Sequence, residues 1–243
     1  MSLENVRSSS GVGAISPRRE GRGAMDGVRL RHRRASDLPG PSLTSEVAAS
    51  GAKRLADILI SASALAILAP LLLVIALAVR FETGDQAIFR QKRGGLKGRP
   101  FVIYKFRTMS TRSDDDDVRH ATRQDLRVTR LGRFLRRSSL DELPQLINVL
   151  KGDMSLVGPR PHALCHDEFY GRRIPAYADR FQARPGITGL AQVSGYRGEI
   201  DRLETMSRRV MHDLDYIRRW SFWLDIRILA LTVARAPFDD RAY

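Results

Sequence analysis

The longest apolar segment of the chain runs from Ile58 to Val79 without a charged residue. A run of about twenty apolar residues is long enough to cross a lipid bilayer as one helix. Pro70 lies mid-run, where its missing N–H and its ring bend a helix. Basic residues such as Lys53 and Arg80 flank both ends, and such flanks favour the cytoplasm. We therefore expect a re-entrant helix, bent at Pro70, that enters and leaves the same face of the membrane. A straight span is the alternative.

The pattern after this run predicts a small α+β domain. "AIFRQ" and "PFVIYKFRTM" have the alternation of short strands, and the Gly-rich "RGGLKGRP" between them is typical of a turn. "VTRLGRFLRRSSLDELPQLINVLKGDMS" predicts two helical segments that join around Ser138–Leu140. "LVGPRP" and "ARPGITGLAQVSG" predict loops that bring backbone amides and arginines to a ligand. The expected fold is therefore mostly helical with a short β-hairpin.

From about Glu199 onward the chain has helical periodicity. The later half of this segment places Trp220 and Trp223 close to Arg218 and Arg219. An apolar face that carries Trp and Arg is typical of an amphipathic helix at a membrane interface. Packing of the same face against the protein core accounts for the pattern equally well.

The first fifty residues differ in composition from the rest. They are rich in Ser, Gly, Pro and Arg and carry few aromatic or β-branched residues. Such a segment buries too little apolar surface to offset its ordering entropy, so we expect residues 1–50 to form a disordered tail.

The charge of the chain points to an anionic partner. Its formal net charge of +14 favours nucleic acid, acidic lipid or phosphorylated substrates. The long uncharged run argues against nucleic acid as that partner. The single cysteine, Cys165, excludes an internal disulfide framework and fits a reducing compartment.

The candidate chemistry lies in "RRSSLDELPQLINVLKGDMSLVGPRP". Its Ser139 and Glu142 fit a capping box, with Ser139 as the N-cap of a helix. A cap leaves Arg136 and the neighbouring arginines unexplained, because cations are unfavourable at a helix N-terminus. A phosphate site accounts for the whole set. Arginines and a divalent cation would screen the charge, and of the two adjacent carboxylates, Asp141 and Glu142, one could act as a nucleophile and the other as a metal ligand.

These motifs together resemble a known family. "KRLADI", "FRQKRGG", "YKFRTM", "RVTRLGRFLRRSSLDELPQLINVLKGDMSLVGPRP" and "RPGITGLAQVSGYRG" are similar, in order, to motifs of the bacterial sugar transferases. These small monotopic phosphoglycosyl transferases move a hexose-1-phosphate from a UDP-sugar onto a polyprenyl phosphate. The resemblance covers the chain from about Lys53 to Tyr243. It implies a membrane-inserted re-entrant helix at 51–82 and a catalytic domain at 83–243 on the cytoplasmic face of the bacterial inner membrane.

The resemblance also assigns roles to residues. It implies that Asp141 is the nucleophile, which releases UMP and carries the sugar-phosphate as a phosphoaspartate, and that Glu142 binds Mg²⁺. Polyprenyl phosphate then takes the sugar-phosphate in a ping-pong scheme. The other matched positions are two phosphate-binding arginines, two residues of a basic strand and two of a nucleotide-associated loop: Arg136 and Arg160, Lys105 and Arg107, Arg184 and Gln192. One departure is Ala69, because many members have Ser before the helix-breaking Pro70.

The C-terminal motifs look most similar to members that transfer glucose-1-phosphate to undecaprenyl phosphate and initiate exopolysaccharide assembly. Transfer of galactose-1-phosphate or of an N-acetylated sugar is the alternative within the family. A non-catalytic membrane adaptor for glycosyltransferases is the alternative outside catalysis. The expected partners are a UDP-sugar, undecaprenyl phosphate and inner-membrane lipid. A homo-oligomer is compatible with the sequence, which does not fix the oligomeric state.

Overall fold

The computed structural model of the protein describes residues 46–110, 125, 127–198 and 202–235. The described part is mostly helical. Its helices are α1 (Glu46–Ala49), α2 (Gly51–Thr83), α3 (Arg130–Ser138), α4 (Gln145–Lys151), α5 (Leu164–Gly171), α6 (Leu190–Val193), α7 (Leu203–Arg218) and α8 (Phe222–Arg235). Its strands are β1 (Ile88–Gly94), β2 (Pro100–Phe106), β3 (Ser155–Val157) and β4 (Gly186–Thr188). Three 3₁₀ turns cover Leu96–Gly98, Leu140–Glu142 and Tyr177–Gln182.

Strands β1 and β2 form the predicted hairpin. They pair antiparallel, from Ile88 opposite Phe106 to Gly94 opposite Pro100, so this expectation is confirmed. The free edge of β2 is covered by helix α4. The buried Asn148 amide accepts from the backbone N–H of Tyr104 at 3.0 Å and donates to the carbonyl of residue 102 at 2.7 Å. A side chain thus satisfies the strand's backbone groups and fixes α4 beside the hairpin.

Strands β3 and β4 form a second, parallel pair that the sequence did not predict. Ser155 lies opposite Gly186, and Val157 lies opposite Thr188. A Cβ added at Gly186 would lie 2.1 Å from the backbone nitrogen of Gly158, so only glycine permits this approach. The expectation of plain loops was wrong here, because a three-residue strand is too short to show a period of two. The pair holds the segment that follows β3 in place.

Helix α2 is the one helix in the described chain that is long and apolar enough to cross a membrane. It is helical on both sides of Pro70. Near its start, Lys53 Nζ lies 2.6 Å from Asp225 Oδ2, at the beginning of α8. Near its end, Val79 packs in a buried cluster with Phe106 and Leu135. Both ends of α2 therefore contact the same domain.

The structure corrects the expected boundary of the tail. Residues 46–49 form helix α1, and the buried Val47 belongs to the main hydrophobic core. The Arg184 guanidinium donates to the carbonyl of Ala48 at 3.1 Å. An apolar contact and a side-chain hydrogen bond thus order residues that composition alone had assigned to the disordered tail. Residues 1–45 lie outside the described part.

The C-terminal segment forms two helices. Helix α8 buries Asp225 and Ile228 against the domain and leaves Phe222, Trp223 and Val233 exposed. The helix thus has a core-packed face, as one of the two expectations had it, and an exposed apolar face, whose contact with a membrane stays a prediction.

Candidate active site

The acidic pair lies in the 3₁₀ turn that links α3 to α4. The predicted join of two helices around Ser138–Leu140 is confirmed. The predicted N-cap is wrong, because Ser139 has a left-handed backbone with φ of 60° and ends α3. Its Oγ accepts from Arg197 at 2.5 Å instead of capping a helix. Because α3 runs directly into Ser139, the residue lacks the extended backbone that an N-cap requires.

Glu142 is held by two cations. Its Oε1 accepts from Lys105 Nζ and from Arg160 Nη2, each at 2.7 Å, and its Oε2 accepts from Arg160 Nη1 at 3.3 Å. Burial opposes ionisation of Glu142, but the charges of Arg160 and Lys105 outweigh it and hold the pKa of Glu142 well below its usual range. Burial and the nearby Arg160 lower the pKa of Lys105, although Glu142 opposes this shift. Glu142 is therefore ionised at neutral pH.

Asp141 has a different environment, although it is the next residue. It is buried, and within the described residues its carboxylate has no hydrogen-bond partner. Burial raises the pKa of Asp141 to about 6; the Glu142 charge adds to this rise, while Lys105 and Arg136 oppose it. At neutral pH Asp141 is thus mostly ionised and, among the residues that the structure describes, accepts no hydrogen bond, which is an environment that suits an oxygen nucleophile.

Arg136 is brought to this pair by close packing of α3. The Arg136 Nε donates to Thr108 Oγ1 at 2.9 Å, just beyond strand β2. A Cβ added at Gly132, one turn earlier, would lie 2.3 Å from the carbonyl oxygen of Thr108. The missing side chain at Gly132 thus lets the helix approach and presents Arg136 to the site.

Arg160 follows the short strand β3. We call Lys105, Asp141, Glu142 and Arg160 the catalytic cluster. The backbone of Arg160 is fixed from behind, because Arg180 Nη2 donates to its carbonyl at 2.6 Å. The side chains of Lys105 and Arg160 keep exposed fractions of 20% and 23%, so a ligand can reach them.

Behind Arg160 lies a second set of ionisable side chains that the sequence did not predict. We call it the buried network: His162, Asp167, Tyr177, Arg180 and Asp213. Arg180 Nε lies 2.8 Å from Asp213 Oδ2, and Tyr177 donates to Asp167 at 2.7 Å. Burial raises the pKa of Asp167 to about 6 and, with the nearby Arg180, lowers the pKa of His162 well below its usual range.

Three expected site residues lie outside the catalytic cluster. Arg107 Nε donates to the carbonyl of Gln86 at 2.9 Å. Arg184 donates to the carbonyls of Gly152 and Ala48, at 3.2 and 3.1 Å. Gln192 lies in α6 and lines a separate large cavity. The structure thus brings together Lys105, Asp141, Glu142 and Arg160, with Arg136 beside them. The roles inferred for Arg107, Arg184 and Gln192 stay predictions.

Two arginines were missed at the site itself. Arg197, bonded to Ser139, adds to the positive field that lowers the pKa of Glu142. Arg93 is close enough to Arg160 for that charge to contribute to its lowered pKa of about 10, although burial is the larger cause. Both stand inside recognisable motifs, "SGYRG" and "FRQKRGG". Their place in these motifs was a signal, but no local spacing distinguishes these two arginines from ordinary surface arginines.

The donor set fits a magnesium ion shared with a substrate. Mg²⁺ is usually held by one or two carboxylates together with substrate phosphates. Asp141 and Glu142 supply two adjacent carboxylates, whereas the described residues contain no group of three potential ligands that would form an all-protein cage. The arrangement as a whole combines a buried carboxyl group, a second carboxylate that is paired and several cations, which suits chemistry on a phosphate ester.

Comparison with known proteins identifies the family of the chain. Residues 48–238 match the model of the family described as bacterial sugar transferase. The chain is 55% identical over 205 residues to a UDP-glucose:undecaprenyl-phosphate glucose-1-phosphate transferase of Caulobacter vibrioides, covering 84% of this chain and 76% of that one. It is 51% identical over 191 residues to the protein of that name from Escherichia coli, covering 79% of this chain and 41% of the relative.

A third relative carries a different sugar in its name. It is a UDP-N-acetylgalactosamine-undecaprenyl-phosphate N-acetylgalactosaminephosphotransferase of Aeromonas hydrophila, 40% identical over 207 residues. The alignment covers 85% of this chain and 48% of that protein. This chain therefore spans less than half the length of the second and third relatives. The family match over most of the chain, together with the acidic pair and its cations, shows that the chain belongs to the bacterial sugar transferase family.

Proposed function

We propose that this protein transfers glucose-1-phosphate from UDP-glucose to undecaprenyl phosphate and releases UMP, as the first step of exopolysaccharide assembly. One observation carries the proposal. Two adjacent carboxyl groups have different surroundings and different pKa values, because Glu142 lies 2.7 Å from Lys105 and from Arg160, whereas Asp141 is buried and has no hydrogen-bond partner among the described residues. Divergent environments for neighbouring titratable groups mark a division of catalytic roles.

In the proposed mechanism, an Asp141 carboxylate oxygen attacks the phosphorus that bears the sugar. A bond from this oxygen to phosphorus forms, and the bond from phosphorus to the bridging oxygen breaks, so that UMP leaves with that oxygen. The phosphate oxygen of the lipid then attacks the same phosphorus. Asp141 is released, and the product is a polyprenyl diphosphate sugar. The covalent intermediate divides one displacement into two.

The neighbouring residues bind and orient the phosphates. Arg160 and Arg136 offer planar guanidinium groups that match phosphate oxygens. Lys105 contributes a compact charge on the same side of the turn, since it already lies 2.7 Å from Glu142. Mg²⁺, when bound by Glu142 and the substrate, would supply further neutralisation of the diphosphate charge.

The proposed location is the bacterial inner membrane, with the catalytic domain on the cytoplasmic face. Contact of both ends of α2 with one domain supports a re-entrant helix. A straight helix of 33 residues is about 50 Å long. If it spanned the membrane, its two ends would lie on opposite sides of a hydrocarbon layer about 30 Å thick. Lys53 and Val79 instead both pack on the domain that carries the site.

The identity of the sugar is the part of the proposal with a specific competitor. The Aeromonas relative favours an N-acetylated donor as the second candidate, whereas the relatives of higher identity favour glucose. Both donors present the same diphosphate to the catalytic cluster, so the choice depends on contacts to the sugar.

The test is UMP release by purified protein in detergent, with undecaprenyl phosphate and Mg²⁺. We expect release from UDP-glucose, little from UDP-galactose or UDP-N-acetylgalactosamine, and none after chelation of Mg²⁺. Folded protein that releases UMP from none of the three donors would contradict the proposal and favour an adaptor. Preference for the N-acetylated donor would overturn only the choice of sugar.

A further inference from the structure

A large cavity lies between α6, the end of α7 and α8. Its volume of about 950 Å³ is at the upper end of the range of small-ligand sites. The lining is of two kinds, arginine and large apolar side chains. It includes Arg197, Arg219, Arg227, Trp223, Leu224 and Leu231. The catalytic cluster does not line it, so the mechanism above leaves this cavity unused.

One lining residue, Arg197, connects the cavity to the turn that carries the acidic pair. Arg197 lines the cavity and also donates to Ser139 Oγ at 2.5 Å. Ser139 precedes Asp141 by two residues on the same turn. A group held at Arg197 would therefore lie near the turn that carries Asp141.

The other side of the cavity opens beside an exposed apolar surface. Trp223 lines the cavity and is 76% exposed. Phe222, Ile226 and Val233 continue its exposed face along α8. The start of α8 is tied to the long apolar helix α2 through the ion pair of Asp225 with Lys53. Arginine beside Trp on an amphipathic helix is typical of contact with lipid headgroups.

The charges lining the cavity call for an anionic occupant. Arg219 pairs with Asp215 at 3.2 Å, and among the described residues of the lining Asp215 is the one carboxylate. Arg227 lies in the lining, and within the described residues its guanidinium has no hydrogen bond or ion pair. The cavity thus combines an excess of positive charge with apolar walls, which suits an amphiphile that has an anionic head.

We propose that this cavity holds the acceptor substrate, with the phosphate of a long-chain polyprenyl phosphate near Arg197 and its first isoprenoid units between α6 and α8. The inference rests on the proposed function and assigns a separate site to its second substrate. An acceptor embedded in the membrane has to enter from the lipid side, and Trp223, which lines the cavity, belongs to the exposed apolar face of α8. A water-soluble nucleotide sugar would gain nothing from an apolar entrance.

The first arm of the test does not require turnover. A polyprenyl phosphate with a photoreactive group on its first isoprenoid unit is irradiated with the full-length protein in detergent, and the labelled peptide is identified. We expect labelling within α6 or α8, reduced at least about fivefold in Arg227→Gln, since a charge-assisted contact is lost. Arg218→Gln is the matched control, because Arg218 is exposed on neighbouring α7 and does not line the cavity.

The second arm separates the two half-reactions. Exchange of labelled UMP into UDP-glucose needs no acceptor, whereas product formation does. We expect Arg227→Gln and Trp223→Ala to raise the KM for undecaprenyl phosphate about fivefold to tenfold and to leave the exchange rate at the wild-type value. Arg218→Gln should change neither quantity.

The inference would be overturned by labelling outside α6 and α8, or by an unchanged acceptor KM in both variants. A raised KM for UDP-glucose in the exchange reaction of these variants would also overturn the inference, and it would assign the cavity to the nucleotide sugar. Wild-type protein that shows no exchange would instead refute the proposed function. In that case the photolabelling arm still decides what the cavity binds.

Discussion

Arg160 joins the catalytic cluster to the buried network, because its side chain pairs with Glu142 and its carbonyl accepts from Arg180. Each of the two sets contains one carboxyl group whose pKa burial raises to about 6. These groups are Asp141 in the cluster and Asp167 in the network. Tyr177 donates to Asp167, whereas Asp141 has no hydrogen-bond partner in the described chain. The Arg180–Asp213 pair is almost sealed, with exposed fractions of 3% and 1%. A raised pKa therefore does not by itself identify a catalytic group, and access for a ligand separates the two sites.

The largest difference should appear when Arg180 of the buried network and Arg160 of the catalytic cluster are each replaced by methionine. Arg180→Met leaves Asp213 as an unpaired buried charge, so we expect a loss of about 3–5 kcal/mol in the free energy of unfolding. Arg160→Met should cost much less stability, because the Arg160 side chain is partly exposed, and it should lower UMP release at least about a hundredfold. Denaturant unfolding and UMP release on the same preparations measure both effects. Equal losses of stability would contradict the comparison.

A second difference concerns Mg²⁺. Glu142→Gln removes the charge that we assign to the metal, so half-maximal UMP release should need at least about tenfold more Mg²⁺. The matched variant Asp167→Asn changes the buried network instead and should leave the Mg²⁺ requirement at the wild-type value. A titration of rate against Mg²⁺ concentration for the three proteins tests this. The same shift in both variants would show that it arises indirectly.

A third difference is the response to pH. Asp141 must be ionised to attack, so the rate of UMP exchange should rise as pH increases through about 6. Stability should change in the opposite sense. Both Asp141 and Asp167 have folded-state pKa values above the ordinary value of 3.8, so the stability they contribute is full below that value and is lost as pH rises through about 6.

Asp167→Asn separates the two pH effects. The substitution should remove the contribution of Asp167 to the fall in stability as pH rises. It should leave the midpoint of the pH–rate profile near pH 6. Unfolding free energies and exchange rates measured from about pH 5 to about pH 8 provide the comparison, over the range in which a carboxyl with a pKa of about 6 titrates. A rate midpoint that moves with Asp167→Asn would place the controlling group in the buried network.

The smallest effect should be at Ser139. Its φ of 60° is a conformation that glycine adopts without strain, so Ser139→Gly should raise stability by about 0.5–1 kcal/mol or leave it unchanged. If Ser139 were an N-cap, replacing it with alanine would instead lower the free energy of unfolding by about 1 kcal/mol. Unfolding of Ser139→Gly and Ser139→Ala tests the corrected geometry. Destabilisation by both would restore the capping interpretation.

The sequence predicted elements within short stretches better than it predicted contacts between distant segments. The hairpin, the two helices around Ser139 and the meeting of Lys105, Glu142 and Arg160 followed from pattern and resemblance. The left-handed backbone of Ser139 was not predicted, because it depends on the residue at which the preceding helix α3 ends. The buried network joins residues up to 33 positions apart, and Arg180 carries no local sign that Asp213 will be its partner. The same holds for Arg197, whose position depends on how α6 meets the turn.

The most direct test of the central claim is the mass of the intact protein after mixing with UDP-glucose and Mg²⁺ in the absence of lipid acceptor. The account predicts one hexose phosphate added to the wild-type protein and to Asp167→Asn, lost on addition of undecaprenyl phosphate or UMP. It predicts no adduct on Asp141→Asn. An adduct that persists in Asp141→Asn, or UMP release by wild-type protein through direct transfer without any adduct, would contradict the assignment of Asp141 as the nucleophile.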